Sequence, residues 1–485
     1  MYAGTFASFV KGRKQRPEIV MVVCMAVLSG LLVGWLYPFP ATMADSHNYV
    51  TAAIEDRFQI YRPFGYSFFL QVIHTLTPNI GFVFWSQHLL YTLSVLWFVL
   101  STSFFFGKER RSLYLLFVAA TLITPVYWYI SNTIMSDSLF ASLSILWFTS
   151  ILWIAMGKRI LFFSLLQAAL LFAMLHTRYI ALFYPLLSIT LYIWLYKSKA
   201  WIPVTATLVA LLLFYAQTEE AMAREARIKQ FSTGFTGWQL ANNALHVIPH
   251  IEPKKNLFNS KKLNMIHAGV SLQRDTITDL ANNKVTSVFM WDNRLPLKQY
   301  MLYLKEKRGM PYLIAWIYAG KDLGEYGRGL IAKYPLLFVR YYLLPNTWNA
   351  LWVQPGMVSR YEDHPKLDIL NKWFSPTIEK GSYKANGDLF ERLSPYLRPL
   401  SLAGWLLLAA MLVRAFIRRR ALSPGSTLKK PWFWFVLAFA AAYFGAVVWA
   451  SPIEARYFMP LIPIKAMILY LLFTEMDSGT KKSAP

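Results

Sequence analysis

The chain has 485 residues, 56% of them hydrophobic, 17% aromatic and only 15% charged, too few charges for a soluble globular protein of this length. Its formal net charge is +24, but the basic residues sit mainly in short clusters between apolar runs, where anchors on the inner face of a membrane belong, so a nucleic-acid partner is not indicated. The single cysteine, Cys24, excludes an intrachain disulfide.

Apolar runs of roughly 17 to 25 residues recur, long enough to cross a hydrocarbon core of about 30 Å. The sequence therefore predicts an all-α polytopic helical membrane protein. The first run, about 19–40, follows Lys11, Arg13, Lys14 and Arg16, which puts the N-terminus in the cytoplasm. It lacks a small-residue cleavage site and reads as a retained helix, not a removed signal peptide. The loop 41–80 is then outside. The second run, about 82–106, returns inward to Lys108–Arg111. The third, about 112–130, goes out to Ser131–Ser136, which holds no Lys or Arg. The fourth, about 137–156, comes in to Lys158 and Arg159. Runs at about 160–175 and 179–196 form a hairpin around His176–Arg178 and end at Lys197 and Lys199. The seventh, about 200–217, goes out.

Residues 218–395 are less apolar and read as a periplasmic region of short helices and loops. Within them YPLLFVRYYLLPNTWNALWV (334–353) is apolar enough to suggest a crossing. The next clear run, about 396–416, ends at Arg414 and Arg418–Arg420 and must point inward, so a crossing at 334–353 would invert it. With Arg340 and Pro345 inside, 334–353 reads as an interfacial or re-entrant helix. The last runs, about 431–450 and 457–474, form a hairpin around SPIEAR (451–456). The expected organisation is about ten crossings with both termini cytoplasmic. Residues 1–217 form a transmembrane module whose first outer loop is 41–80, 218–395 the periplasmic region, and 396–485 the C-terminal spans and tail.

On this topology one boundary collects Asp45, Arg62, Asp137, His176, Arg178, Glu454 and Arg456. Ionisable groups at the ends of spans are costly unless paired or wet, so this set suggests a polar cavity. Acids and arginines together suggest chemistry on an anionic group. Each residue also has a plainer reading. Asp45 can cap the helix that follows it, and Asp137 can be a first-turn charge favoured by the helix dipole. Arg62 and Arg178 can snorkel, His176 can be a satisfied polar partner of Arg178, Glu454 and Arg456 can form a loop ion pair, and Tyr61, Tyr66 and Tyr457 can be interface aromatics. No phosphate-cradling GK[ST] loop, HExxH, paired Cys/His spacing or GxSxG elbow is present, which argues against an ATP-driven pump and the common metal and serine hydrolases.

Four stretches carry a family resemblance: PFPATMADSHNYV with Asp45 soon after the first span, YRPFGYSFFLQ with an Arg-Pro-x-Gly-Tyr turn opening a helix, SNTIMSDSLF with Asp137 starting the fourth span, and PIEARYFMPLIP with an ExRY…P pattern. In their order and side of the membrane they resemble the GT-C-type polytopic glycosyltransferases, the group (glycosyltransferase family 39-like) that contains protein mannosyltransferases and bacterial aminoarabinose transferases. The resemblance spans 37–463, with no counterpart for 218–395. It implies a polyprenyl-phosphate or pyrophosphate sugar donor used on the periplasmic face of a bacterial inner membrane, Asp45 as the first-loop catalytic carboxylate, and inversion at the anomeric carbon. The chain has Asp45-Ser46 where many relatives have a double acid, and Asp137 where Glu is common. It has no DxD, which counts against an obligatory divalent metal, and no other cofactor is implied.

The residues support this reading on their own terms. Glycosyl transfer from a lipid phosphate needs a carboxylate to accept a hydroxyl proton and cations to hold the departing phosphate. Asp45 supplies the first. Arg62, Arg178 and Arg456 are candidates for the second, His176 a weaker one. Asp137 is the second catalytic candidate, orienting the acceptor or holding an arginine, with Glu454, Tyr66 and Tyr457 as support. The acceptor is a lipid, a glycan or a protein. Two other functions fit less well: a polysaccharide polymerase or ligase acting on undecaprenyl-pyrophosphate glycans, and a lipid-linked glycan flippase or transporter, which would place charges near the midplane and repeat its halves.

Overall fold

A computed structural model describes residues 5–13, 15–58, 62–107, 111–226, 234–254, 256–352, 361–362, 366–417 and 426–481. Lys14, Tyr61, Lys108–Arg110 and Arg418–Arg420, all named above, lie outside them. The described residues are mostly helical, with no strand among them. That is the expected solution for apolar segments in lipid, where every backbone N–H and C=O must find a partner within its own segment.

Eight helical stretches among the described residues are long and apolar enough to cross a membrane: Arg16–Leu36, Gly81–Phe106, Arg111–Ser131, Ser136–Ala155, Ile160–Thr177, Tyr179–Glu225, Leu389–Ile417 and Pro431–Ala450. The chain is an all-α, polytopic integral membrane protein. We label the helices that position the site. They are α1 (Arg16–Leu36), α2 (Ser46–Glu55), α3 (Gly65–Leu76), α4 (Gly81–Phe106), α5 (Arg111–Leu122), α6 (Pro125–Ser131), α7 (Ser136–Ala155), α8 (Ile160–Thr177), α9 (Tyr184–Tyr196) and α10 (Trp201–Ala226). The third run breaks into α5 and α6 because Thr124 is extended and Pro125 takes the first position of the next helix, where its missing N–H costs nothing. The stretch Tyr179–Glu225 holds both α9 and α10, separated at Lys197, whose φ is +51°.

The chain divides into two compact units. One comprises 1–214, 354–443 and 455–485; the other comprises 215–353 and 444–454. In the first unit α7 is the most enclosed span and Leu389–Ile417 the most exposed. The inner position of α7 follows from its composition. Ser138, Ser142, Ser144, Thr149 and Ser150 are buried along it, and small hydroxyl residues let neighbouring helices approach while their O–H groups bond back to the helix. Ser142, for example, donates to the Ser138 carbonyl at 3.0 Å.

Beyond the ends of these spans, α2 and α3 pack into an apolar core of Tyr49, Val50, Tyr66, Leu70 and Ile73. Each fully buried aliphatic side chain there contributes about 1.5–3 kcal/mol. Leu370, Phe374, Ile378 and Tyr383 belong to the same core, and backbone bonds tie it at Ser375, whose carbonyl accepts from Ile80 at 2.9 Å and whose N–H donates to Pro78 at 2.8 Å. Residues 366–388, read from sequence as part of the 218–395 region, thus pack on the first loop. Leu367, Leu370, Phe374 and Ile378 recur three and four residues apart, and Leu367–Asn371 is a short helix.

In the second unit, helices α11 (Phe235–Ala244) and α12 (Tyr312–Lys333) cross closely. Glycines line the crossing: a Cβ on Gly327 would lie 2.7 Å from the Ala241 nitrogen. Trp238 stacks on Trp316 with centroids 4.2 Å apart. The buried Lys298 amine lies 4.5 Å from the Trp316 ring and donates to Tyr312 Oη at 2.5 Å, and burial lowers its pKa to about 8. Lys262 bridges Asp322 and Glu325 at 2.6 and 3.0 Å. The 334–353 segment is helical over 335–351, with a π turn at Val339–Leu343.

Candidate functional site

Two stitched loops bring Asp45 and Asp137 together. The Ala41 N–H donates to the Asn132 carbonyl at 2.6 Å, and the Ile134 N–H donates to the Ala41 carbonyl at 2.9 Å. Five residues on, Ser46 Oγ accepts from the Met43 N–H and donates to the Ile134 carbonyl, both at 2.8 Å. Tyr49 Oη and Ser136 Oγ share a hydrogen bond of 2.9 Å. The segment leading into α2 is thereby fixed to the segment leading into α7.

Asp45 stands at the start of α2, yet its side chain accepts no bond from the helix N–H groups. The capping reading fails because the carboxylate is turned to Arg62, with which it forms a close ion pair. Arg62 is carried by the turn that opens α3. Gly65 sits so tightly against the end of α8 that a Cβ there would lie 2.6 Å from the His176 carbonyl. Any other residue at that position would push α3, and Arg62 with it, away from the site. The guanidinium also lies 5.3 Å from the centre of the Tyr49 ring, with Nη1 3.5 Å from its hydroxyl.

Asp137 occupies the first turn of α7 and is gripped from two sides. Arg178, just after α8, makes a close ion pair with one carboxylate oxygen. Arg456, in the Ala455–Phe458 turn, approaches the other at 3.5 Å. The Tyr457 ring lies under both guanidinium groups, 5.7 Å from Arg178 and 5.2 Å from Arg456, a cation–π arrangement. Arg456 Nη1 also lies 3.4 Å from Met43 Sδ, two residues from Asp45.

The two acids differ in access. The Asp137 side chain is 1% exposed, the Asp45 side chain 32%. Burial acts to raise the Asp45 pKa, but the charge and hydrogen bond of Arg62, with the charges of Arg456 and Arg178, outweigh it and hold the carboxyl below its ordinary value of 3.8. Burial acts against the Arg62 cation, and Asp45 and Tyr49 outweigh that too, so its pKa is raised. Among the described residues, Arg62, Arg178 and Arg456 gather around Asp45 and Asp137, and planar guanidinium groups suit phosphate.

Of the residues expected here, Asp45, Arg62, Asp137, Arg178, Arg456 and Tyr457 come together. Tyr66 stands behind them: it is fully buried, its ring is edge-on to Tyr49 at 4.9 Å, and its hydroxyl donates to Gln87 Oε1 at 3.2 Å. The His176 ring packs edge-on against Phe172 and Phe214 at 4.6 and 4.9 Å, and its backbone carbonyl abuts Gly65 at the start of α3. Glu454 belongs to the other unit. Sequence reading gave no role to Tyr49, Ser136 or Gln87. Gln87 donates to the Ser131 and Thr133 carbonyls at 2.8 and 3.1 Å. Its signal was a carboxamide inside an apolar span; that of Tyr49 was its place one helical turn from Asp45. Among the described residues, no group of three or more His, Cys, Asp or Glu comes together as metal ligands would. No family model, curated protein or solved structure matches the chain.

Proposed function

We propose that the protein is a membrane glycosyltransferase that moves a sugar from a polyprenyl-phosphate donor to a hydroxyl of a lipid, glycan or protein acceptor, on the periplasmic face of a bacterial inner membrane. The observation that carries the reading is the half-open Asp45–Arg62 pair beside a closed Asp137–Arg178–Arg456 cluster, at or beyond the ends of the apolar helices. The motif resemblance to GT-C-type enzymes points the same way, and the fold we expect is that of this group, with about ten crossings.

In the reaction, Asp45 takes the proton of the acceptor hydroxyl as its oxygen bonds to the anomeric carbon. The bond from that carbon to the phosphate oxygen breaks, and the electron pair leaves with the phosphate. A positioned base of this kind contributes about 10²–10⁴-fold. Arg62, Arg178 and Arg456 hold the departing phosphate. Asp137, shut off from solvent, does no proton transfer; it fixes the two arginines that lie over Tyr457. The Asp45–Arg62 pair then acts as a latch. A carboxylate paired with a guanidinium is a weak base. An arriving phosphate competes for Arg62, and Asp45 becomes more basic when the donor is in place.

Transfer of labelled sugar from polyprenyl-phosphate donors by the purified protein tests this. Transfer supports the reading. Movement of the intact lipid-linked sugar across vesicles without transfer would favour a flippase instead.

A further inference from the structure

The helical run 335–351 has two unlike faces. Phe338, Tyr342, Asn346 and Ala350, spaced four apart, are buried. The opposite face exposes Leu336 at 81%, Val339, Leu344 at 59% and Trp348 at 55%, with Arg340 among them. An exposed apolar stripe of this length is unfavourable against water and marks an interaction surface.

What covers it follows from what the buried face holds. The Asn346 amide donates to the carbonyls of Val448 and Ser451 at 2.7 and 2.8 Å, and its oxygen accepts from the Ile453 N–H at 3.2 Å. The Tyr342 hydroxyl reaches the Trp449 carbonyl at 3.4 Å, and Phe338 lies edge-on to the Trp449 ring at 5.3 Å. Residues 448 and 449 are the end of the apolar helix Pro431–Ala450, which is long enough to cross a membrane. Asn346 thus satisfies the orphan carbonyls at the end of this apolar helix and ties the run 335–351 to that end.

We propose that this run is a lipid-facing interfacial helix: Leu336, Val339, Leu344 and Trp348 enter the edge of the hydrocarbon layer, and Arg340 reaches a lipid phosphate. The chemistry of the stripe matches that depth. Aliphatic side chains suit the acyl boundary, a tryptophan suits the headgroup level, and an arginine snorkels from an apolar face to a phosphate. The inference needs only the span at Pro431–Ala450 and stands whether or not the protein transfers sugar.

The test uses the full chain with Cys24→Ala, which removes its only cysteine. Single substitutions Leu344→Cys, Trp348→Cys and, as an exposed polar control, Glu252→Cys are labelled with an environment-sensitive fluorophore. The proteins are placed in vesicles of phosphatidylcholine and phosphatidylglycerol, with and without lipids that carry a nitroxide near the headgroup. Labels at 344 and 348 are expected to lose at least half of their emission to the nitroxide lipid and to resist aqueous iodide, while the label at 252 does the reverse. Labels at 344 and 348 that respond to iodide like the control would overturn the proposal. So would labels shielded from both quenchers, which would mean that a second copy or another protein covers the stripe.

Discussion

The contrast between the two aspartates gives the sharpest structural prediction. Asp137→Asn leaves two guanidinium groups facing a neutral amide at a position that is 1% exposed, while the Arg178 and Arg456 side chains keep 25% and 12% exposure. Removing one partner of a buried pair costs about 3–5 kcal/mol, because the other charge stays buried. The remaining access of the two arginines to water puts this case near the lower end, about 3 kcal/mol. Asp45→Asn takes a carboxylate from one guanidinium and not two, Arg62 being 16% exposed and the carboxylate 32%, and its cost should be smaller, about 1–2 kcal/mol. For a chain of this size a loss of 1 kcal/mol moves the melting midpoint by roughly 1–2 °C. Asp137→Asn should therefore melt about 3–6 °C below the parent and Asp45→Asn about 1–4 °C below it. Tryptophan fluorescence during heating of the detergent-purified proteins reads this directly. Equal midpoints for the parent and Asp137→Asn would refute the assignment of Asp137 as the buried anchor of two arginines.

Three further outcomes follow. The Asp45 carboxyl is held below 3.8 chiefly by Arg62, so the pair's stabilisation is present above that pH and is lost as pH falls through the lower, folded-state pKa. The acid limb of kcat/KM should lie below pH 3.8 in the parent and move upward in Arg62→Gln, where burial is no longer outweighed by that charge; a limb that stays put would contradict the pairing. Tyr457→Leu should raise the KM for the donor about threefold to tenfold with a smaller effect on kcat, as loss of a cation–π contact to the two arginines proposed to hold the phosphate would; an unchanged KM would separate Tyr457 from donor binding. Gly327→Ala should cost about 1–3 kcal/mol by overpacking, since its Cβ would meet backbone that cannot give. Gly269→Ala, with nothing within 4 Å of its Cβ, should be neutral or mildly stabilising. Proteolysis of the 215–353 unit compares the two.

The apolar runs were legible because lipid imposes a length, and Ser136–Ala155 and Pro431–Ala450 lie within a residue of where the sequence put them. Ends set by other forces were not. The helix after Trp201 runs on to Ala226 through polar residues, because helix geometry continues where hydropathy stops. The helix Leu389–Ile417 contains Pro395 and Pro399, which a sequence reader takes as a start signal. The site was legible as a set, since charges at span ends must be paired or wet. Its pairing was not. Nothing in the sequence chooses Arg62 for Asp45 and two arginines for Asp137; the bonds from Ala41 to Asn132 and Ile134, and the close fit of Gly65 against His176, make that choice. Leu367, Leu370, Phe374 and Ile378 repeat at helical spacing, but nothing local says what that stripe covers, so its place in the first-loop core is visible only in three dimensions.

The central claim is that Asp45 is the base of a sugar-transfer reaction. The most direct measurement is single-turnover transfer of labelled sugar from a polyprenyl-phosphate donor, with the parent protein and Asp45→Asn at equal folded concentration. The parent should transfer the sugar, and the variant should lose about 10²-fold or more of that rate with donor binding retained. Transfer by Asp45→Asn at the parent's rate would contradict it.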